Sequence, residues 1–388
     1  MNDQHIDLNV AAELALAHLE IGPAVQWPDA NFDELATVIY DAQRGAVEVY
    51  DRWAAVELSS RAGEHAGVAS WRDVPALPIA AFKQLPIYQL DSPVAALYRS
   101  SGTTAADRST HRMQTLAHYD ASLDAGVEAA LVPDVVAGAD PLACVQLQPS
   151  EADAPNSSLT HMYDRIRTGP WTDDRGAFVD SGFAIDAAGA WDALEASASE
   201  DRPVLLLTTS FALAMLLDAV EESGRARIQL PHGSRLVDTG GFKGRTREIT
   251  REELLRRVGR WLGVAPEWCE NEYGMSELSS QAWLGTIAAA TGHPLTVDGV
   301  VVGANPREAG VRWTPPWLRV RVVDPTTLTD VGDGERGLLV FHDLANVWSC
   351  AAIRSEDIGT RRGSSFELVG RAPGAALKGC SLQLEDIT

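Results

Sequence analysis

Short apolar runs alternate with helix-like stretches from about residue 95 onward, and this alternation constrains the fold more than any other feature of the sequence. The runs "PLACVQLQ" and "PVLLLTT" are typical of buried strands, whereas "SFALAMLLDAVEESG" and "TREELLRRVGRWLG" predict helices that end at Gly224 and Gly263. Thr250 and Glu253 form a capping-box pattern ahead of the second helix. The chain is therefore expected to adopt an α/β fold in which helices cover the sheets.

Apolar residues at steps of three and four over residues 31–58 predict one helix. Together with residues 8–19 they predict a helical N-terminal region over residues 1–73. The stretch "VPALPIAAFKQLPIYQL" is interrupted by prolines and predicts an extended connector. The motif "GDGERG" matches GxGxxG, but a strand follows it, so a hairpin turn is the better interpretation than a dinucleotide site.

Composition narrows the class of protein. The chain of 388 residues has 54 acidic and 32 basic residues, a net charge of −22, which argues against a nucleic-acid partner. Four cysteines without a CxxC motif argue against a disulfide framework and a zinc site. The sequence has neither a signal-peptide pattern nor a long apolar run, so we expect a cytoplasmic protein without a membrane span.

Two loops combine glycine with phosphate-binding chemistry. In "YRSSGTTAADRSTHRM", backbone N–H groups and hydroxyls can surround an anion, and Arg108 and Arg112 can add positive charge, although by composition alone such a loop is more often a solvated turn. In "LVDTGGFKGRTREI", paired glycines precede Lys243 and Arg245, which is weak evidence by itself. The arginines of the following helix are expected to form a solvated face: Arg251, Arg256, Arg257 and Arg260.

Two further segments carry candidate ligand groups. In "ENEYGMSELSSQAW", Tyr273 can stack on a base, Ser276 can bond a phosphate and Glu277 can hold Mg²⁺; the alternative is a helix N-terminus with a buried tyrosine. Asp357 and Arg371 are expected at strand edges, where Asp357 could grip a ribose diol, and the alternative is a turn.

These motifs, in this order, resemble the adenylate-forming superfamily of acyl and aryl synthetases. The similarity is greatest to the acyl-protein synthetases of the LuxE type, which supply acyl groups to the fatty-acid reductase of bacterial luminescence. It is carried over residues 75–385 by "AAFKQLP", "SSLTHMYDRI", "DTGGFKGRTREITREEL", "NEYGMSELSSQ", "DLANVWSCAAIRSEDIG" and "GRAPGAALKGCSL".

The resemblance implies ATP and Mg²⁺ as cofactors and assigns roles to individual residues. Tyr273 would stack on adenine, Ser276 would contact the α-phosphate, Glu277 would hold Mg²⁺, and Asp357 would bind the ribose with Arg371 nearby. The remaining residues expected to bind nucleotide are Ser100, Ser101, Gly102, Thr103, Thr104, Arg108, Gly240, Gly241, Gly274 and Met275. Ala105 stands where many relatives have glycine.

The implied architecture is that of the N-terminal domain of adenylate-forming enzymes, with an α/β core over residues 74–370. A short tail, residues 371–388, stands in place of the usual lid domain, so the lid lysine has no counterpart. Lys243, Arg108 or Lys378 could supply the missing charge, and Lys243 is the candidate catalytic residue among them.

Cys380 in "KGCSL" matches the acyl-accepting site of the family, although on the residues alone it is a surface thiol beside Lys378. Cys144, Cys269 and Cys350 lie in apolar or strand-like surroundings and are expected to be packing residues. The expected activity is that of an acid–thiol ligase: a carboxylic acid, a fatty acid by resemblance, becomes acyl-AMP and then passes to the cysteine and to a reductase or carrier protein. The alternatives are an acyl- or aryl-CoA ligase and a non-catalytic nucleotide-binding subunit of a reductase complex.

Overall fold

The computed structural model of the chain describes residues 5–25, 27–61, 67–100, 108–240, 249–304 and 310–372. The chain forms two units, and each is built from separate segments. Unit 1 comprises Met1–Ala125, Met275–Gln281 and Gly310–Thr388; unit 2 comprises Gly126–Gly274 and Ala282–Ala309. The division predicted from the sequence, at residues 73/74 and 370/371, stays a prediction.

The helices, in chain order, are α1 Leu8–Leu19, α2 Asp29–Ala46, α3 Glu48–Ser60, α4 Ala81–Gln84, α5 Ala117–Ala130, α6 Pro133–Val136, α7 Ser158–Arg167, α8 Ala187–Ser199, α9 Ser210–Ser223, α10 Arg251–Leu262 and α11 Thr286–Ala290. The strands are β1 Leu77–Pro78, β2 Ala96–Arg99, β3 Thr110–Met113, β4 Leu142–Leu147, β5 Thr172–Ala177, β6 Val204–Thr209, β7 Arg235–Thr239, β8 Cys269–Tyr273, β9 Ala282–Trp283, β10 Thr296–Val297, β11 Val300–Val301, β12 Val311–Arg312, β13 Leu318–Val323, β14 Arg336–Asp343, β15 Ala352–Arg362 and β16 Ser365–Arg371.

Unit 2 contains a six-stranded sheet in the order β5-β4-β6-β7-β8-β9, parallel except for β9. Strands β4 and β6 are buried along almost their whole length, as the apolar runs predict. Residues of α8, α9 and α10, including Trp191, Leu213 and Leu262, pack with these strands into one core. The α/β expectation is therefore confirmed.

Unit 1 contains a second sheet, in the order β12-β16-β15-β14-β13, with β1 parallel to the first half of β15. Strands β13 and β14 form the antiparallel hairpin expected on either side of "GDGERG". Helices α1 and α2 pack into one core with Trp71, Trp317, Leu344 and Val347. The predicted N-terminal helices thus cover buried residues of the C-terminal third of the chain.

Two predictions about the first 90 residues are wrong. The single helix over residues 31–58 is broken at Val47, which is fully buried in an extended conformation, with φ −111° and ψ 92°. After the break, α3 buries Tyr50 and Trp53. The connector over residues 74–90 contains β1 and the short helix α4, because the segment between its prolines has helix-forming residues and buries Phe82.

The predicted helix ends are confirmed. Gly224 and Gly263 follow α9 and α10 with φ angles of +70° and +71°, the left-handed conformation that glycine adopts without steric cost. The Thr250 side chain accepts a hydrogen bond from the Glu253 backbone N–H and caps α10. Within the described residues, no helix has both the length and the apolar character needed to cross a bilayer.

Candidate active site

The segment Met275–Gln281 of unit 1 carries Ser276 and Glu277 and has no regular secondary structure. It follows Gly274, directly after the end of β8 at Tyr273. The alternative that this motif begins a helix is therefore wrong, although Tyr273 is buried. An irregular segment depends on side chains to satisfy its buried backbone groups.

Glu277 is only 5% exposed. Ser109 directly precedes β3, and its hydroxyl donates a hydrogen bond to Glu277 Oε1. Burial raises the pKa of Glu277, and the Ser109 hydrogen bond and the positive charges of Lys83 and Arg371 act in the opposite direction. A buried carboxylate with two cations within electrostatic reach is suited to a site that takes up a metal together with phosphate groups.

The backbone of the Glu277 segment is held by side chains from two distant parts of unit 1. His111 Nδ1 on β3 donates to the Ser276 carbonyl oxygen at 2.8 Å. Asn346 Nδ2 donates to the Glu277 carbonyl oxygen, also at 2.8 Å. His111 Nε2 lies 2.9 Å from Asn346 Oδ1, so the two side chains contact each other behind the segment. Burial lowers the pKa of His111 to about 4, and the contacts of its two ring nitrogens with Ser276 and Asn346 act in the opposite direction.

Asp343, at the end of β14, fixes the next residues of the segment. Its carboxylate accepts the Ser279 N–H at 2.8 Å, the Ser280 N–H at 2.9 Å and the Ser280 hydroxyl at 2.7 Å. Complete burial raises the pKa of Asp343 to about 6, while these donors favour the ionised form. Four of the five positions from Ser276 to Ser280 are thus tied to side chains from other segments of unit 1.

Unit 2 brings other predicted residues to the carboxyl edge of its sheet. β6, β7 and β8 are parallel and end at Thr209, Thr239 and Tyr273. Gly240 follows β7 with φ +69°. The carboxyl edge of a parallel sheet, near the point where the strand order reverses between β4 and β6, is where such sheets usually bind ligands.

Below that edge, Asp238 on β7 is 2% exposed and organises a polar cluster. It accepts hydrogen bonds from Ser210 Oγ at 2.6 Å, Arg251 at 2.6 Å and Asn271 Nδ2 at 3.1 Å. The expectation that the arginines of α10 are all solvated is therefore wrong. Arg251 pairs with Asp238, and the buried Arg257 lies 2.8 Å from Asp218, because both face other elements of unit 2.

Asp357 lies in the middle of β15, so the alternative that it is a turn residue is wrong. It is 7% exposed, and Arg371 is its cross-strand neighbour on β16. Arg371 Nε lies 3.4 Å from Asp357 Oδ1, and the Arg371 side chain is 59% exposed. The pair places a cation and a carboxylate side by side in the unit that holds Glu277.

Part of the predicted site is not described. Ser100 is described, and it exchanges two hydrogen bonds with Ser109: its N–H donates to the Ser109 carbonyl at 3.2 Å, and its hydroxyl accepts the Ser109 N–H at 2.9 Å. Arg108 is also described, and it too interacts with other residues. The following predicted residues lie outside the described residues: Ser101, Gly102, Thr103, Thr104, Gly241, Lys243 and Cys380.

The sequence interpretation missed the residues that hold the Glu277 segment: Ser109, His111, Asp343 and Asn346. One signal was present. Asp343 and Asn346 are polar residues inside "GLLVFHDLANVW", an otherwise apolar stretch, and buried polar side chains require partners. Which partner each one would find could not be inferred, because the contacts join distant parts of the chain.

Comparison with known proteins gives local sequence matches and a fold match. No family model matches the chain. A stretch of 82 residues is 37% identical to the long-chain-fatty-acid–luciferin-component ligase of Aliivibrio fischeri, covering 19% of this chain and 22% of that protein. A stretch of 77 residues is 32% identical to the ligase of the same name from Vibrio harveyi, covering 18% and 20%. The matches thus span about a fifth of the length of these curated relatives.

Among solved structures, an open conformation of 2-hydroxyisobutyryl-CoA ligase superimposes with a TM-score of 0.52 at 13% identity. The superposition covers 89% of this chain and 76% of that one. The resemblance to LuxE-type enzymes is confirmed over the matched stretch, and the fold is that of adenylate-forming acid ligases.

Proposed function

We propose that this chain is an ATP-dependent acid–thiol ligase that activates a long-chain fatty acid and transfers the acyl group through its own Cys380. The proposal rests mainly on the buried Glu277 carboxylate, which accepts a hydrogen bond from Ser109. The segment that carries Glu277 also presents Ser276. The substrate class comes from the names of the two ligases that match in sequence.

We assign the nucleotide contacts to the residues that the family resemblance names. Tyr273, Gly274 and Met275 would line the base, with Gly240 and Gly241. Asp357 would accept from the ribose hydroxyls, supported by the cross-strand position of Arg371. The phosphates would be bound by the loop from Ser100 to Thr104 together with Arg108 and Ser276.

The described residues fit Mg²⁺ that arrives with a nucleotide. They contain no cluster of three or more metal-binding side chains, but Mg²⁺ is commonly held by one or two carboxylates and by substrate phosphates. Glu277 would be that carboxylate: Ser109 is the one described side chain that donates to it. When bound, the metal would neutralise charge that develops on the phosphates.

In the first step, a carboxylate oxygen of the acid attacks the α-phosphorus of ATP. A new P–O bond forms, the bond to the bridging oxygen of the β-phosphate breaks, and pyrophosphate leaves with that electron pair. Preorganised donors and cations stabilise the charge that accumulates on the phosphate oxygens. Lys243 is our candidate for the cation that a lid lysine supplies in relatives.

In the second step, the Cys380 thiolate attacks the acyl carbon of acyl-AMP. A C–S bond forms, the C–O bond to AMP breaks, and AMP leaves with the electron pair; the thiol proton has already passed to solvent. The resulting thioester would deliver the acyl group to a partner enzyme or carrier, such as a reductase.

The other three cysteines are unsuited to this step. Cys144, Cys269 and Cys350 are buried, as predicted. Burial raises the pKa of all three thiols, that of Cys350 to about 12, so their nucleophilic thiolate form is suppressed. Of the four cysteines in the sequence, this leaves Cys380.

Intact-mass analysis tests the proposal. After incubation with ATP, Mg²⁺ and a panel of fatty acids of different length, we expect the mass of one acyl group on the protein, removed by neutral hydroxylamine and mapped to Cys380. Cys380→Ser should lose this thioester but keep ATP–pyrophosphate exchange, and Ser381→Ala, a matched change at the next residue, should keep both. Acyl-CoA formation without labelling would favour a CoA ligase, and no exchange with any acid would favour a nucleotide-binding subunit; either result would overturn the proposal.

A further inference from the structure

The segment around Glu277 is held from behind by Asn346, which uses both hydrogens of its amide. Asn346 is 2% exposed. Its Nδ2 donates to the carbonyl oxygens of Glu277 at 2.8 Å and Cys350 at 2.9 Å. Because two carbonyl oxygens can only accept, the amide orientation is fixed, and Oδ1 faces Ser279 Oγ and the His111 ring.

The loop that carries Asn346 is itself held by a helix of the N-terminal region. Gln43, on α2, has no exposed surface. Its Nε2 donates to the carbonyl oxygens of Asn346 and Val347, both at 2.9 Å, and its Oε1 accepts the Ala351 N–H at 3.1 Å. One side chain therefore joins the middle of the loop between β14 and β15 to the last residue of that loop.

Gln43 and Asn346 thus form a continuous path of direct hydrogen bonds from α2 to the Glu277 peptide. Each member is buried, so loss of one bond leaves a backbone carbonyl without a partner and away from water. A displaced Glu277 carbonyl would move the carboxylate, since backbone and side chain share one residue. Supporting contacts of this kind commonly set the position of a metal-binding carboxylate.

We propose that Gln43 and Asn346 are positioning residues for Glu277 and that the N-terminal helical region thereby takes part in adenylation. This inference rests on the proposed function for its catalytic consequence. Its structural part, control of the Met275–Gln281 segment by α2, does not depend on any activity.

Hydrogen exchange and metal titration test the proposal on the full chain. The variants are Asn346→Asp, which replaces a double donor with an acceptor, and Gln43→Met, which removes the bonds at similar size without adding charge. Asn31→Asp is the matched control, an amide-to-acid change at an exposed position of the same helix. Backbone exchange is followed in peptides covering residues 270–283 without any ligand, and ATP–pyrophosphate exchange is measured against Mg²⁺ concentration.

We expect faster backbone exchange of residues 275–281 in both variants, with peptides of β13 and of α8 unchanged. We also expect the Mg²⁺ concentration for half-maximal activity to rise about 10- to 100-fold, the usual effect of losing a supporting contact. Asn31→Asp should match the parent protein in both measurements. If Asn346→Asp does not fold, Gln43→Met alone decides.

Three outcomes would overturn the proposal: unchanged exchange of residues 275–281, an equal increase in all peptides, or local loosening with an unchanged Mg²⁺ requirement. If the parent protein shows no pyrophosphate exchange with any acid, the proposed function fails instead. Local loosening would then support only the structural link, and its absence would overturn that link as well.

Discussion

In the protein without ligands, two effects act in opposite directions on the pKa of Glu277. It is buried, which raises its pKa, and it is held by a hydroxyl and faces two cations, which favour the ionised form. A carboxylate kept in such surroundings is costly to fold unless a ligand later balances its charge. The first prediction therefore concerns removal of the negative charge of Glu277.

Glu277→Gln should remove adenylation and leave the fold intact, because the amide has the same shape but no negative charge. We expect ATP–pyrophosphate exchange to fall at least about a hundredfold, the effect of deleting one preorganised charged group at a reacting phosphate. Circular dichroism should be unchanged. Glu13→Gln, at an exposed position of α1, is the control and should retain full exchange. Near-normal exchange in a folded Glu277→Gln protein would contradict the assignment of the metal site.

At the scale of the elements, the N-terminal cap of α10 allows the stability contribution of a single cap to be measured. The Thr250 side chain accepts the Glu253 N–H, one of the donors that an isolated helix N-terminus leaves without a partner. Thr250→Ala should lower the free energy of unfolding by about 1 kcal/mol. Urea unfolding measures this, with Ser199→Ala as control, because the Ser199 hydroxyl bonds a carbonyl of its own helix and caps nothing. Equal stability of the two variants would show that the cap is not stabilising.

The elements also show what could be predicted from the sequence. Buried strands such as β4 and β6 and capped helices such as α9 and α10 carry their signals locally, so their positions were predicted. The break at Val47 was not predicted, because the helical spacing of apolar residues continues across it at Ala46 and Val49. Glu277 was identified from its motif, whereas Asn346 and Gln43 were not. Their function depends on a hydrogen bond between residues 303 positions apart, and no local pattern records such a contact.

At the scale of the whole molecule, buried histidines make stability depend on pH. Burial lowers the pKa of His111 to about 4, lowers that of His118 and lowers that of His342 well below its ordinary 6.5. Below pH 6.5 the unfolded chain therefore binds more protons than the folded chain, and the free energy of unfolding falls as pH falls. Asp343, with a pKa raised to about 6, and Glu277, whose pKa burial also raises, act in the opposite direction, but they are two groups against three.

We expect a net loss of about 2 kcal/mol of stability between pH 7 and pH 5, measured by urea unfolding. His342→Phe keeps an aromatic ring against Trp71, whose ring centroid lies 4.8 Å away, and removes one titrating group. In this variant the loss should be smaller by about 2 kcal/mol, the cost of charging one histidine at pH 5 in the unfolded state only. Parallel pH profiles of parent and variant would contradict this explanation.

The contact between Gln43 and Asn346 can form only late in the synthesis of the chain. The ribosome must add 303 residues after Gln43 before its partner exists, which takes about 15 to 60 seconds at usual elongation speeds. All segments of unit 2 emerge during that interval, because they lie between residues 126 and 309. During that interval the apolar faces of α1 and α2 lack their partners from the C-terminal third of the chain. During translation this makes the N-terminal helices, and not the later-made sheets, the part of the protein with the longest need for a chaperone.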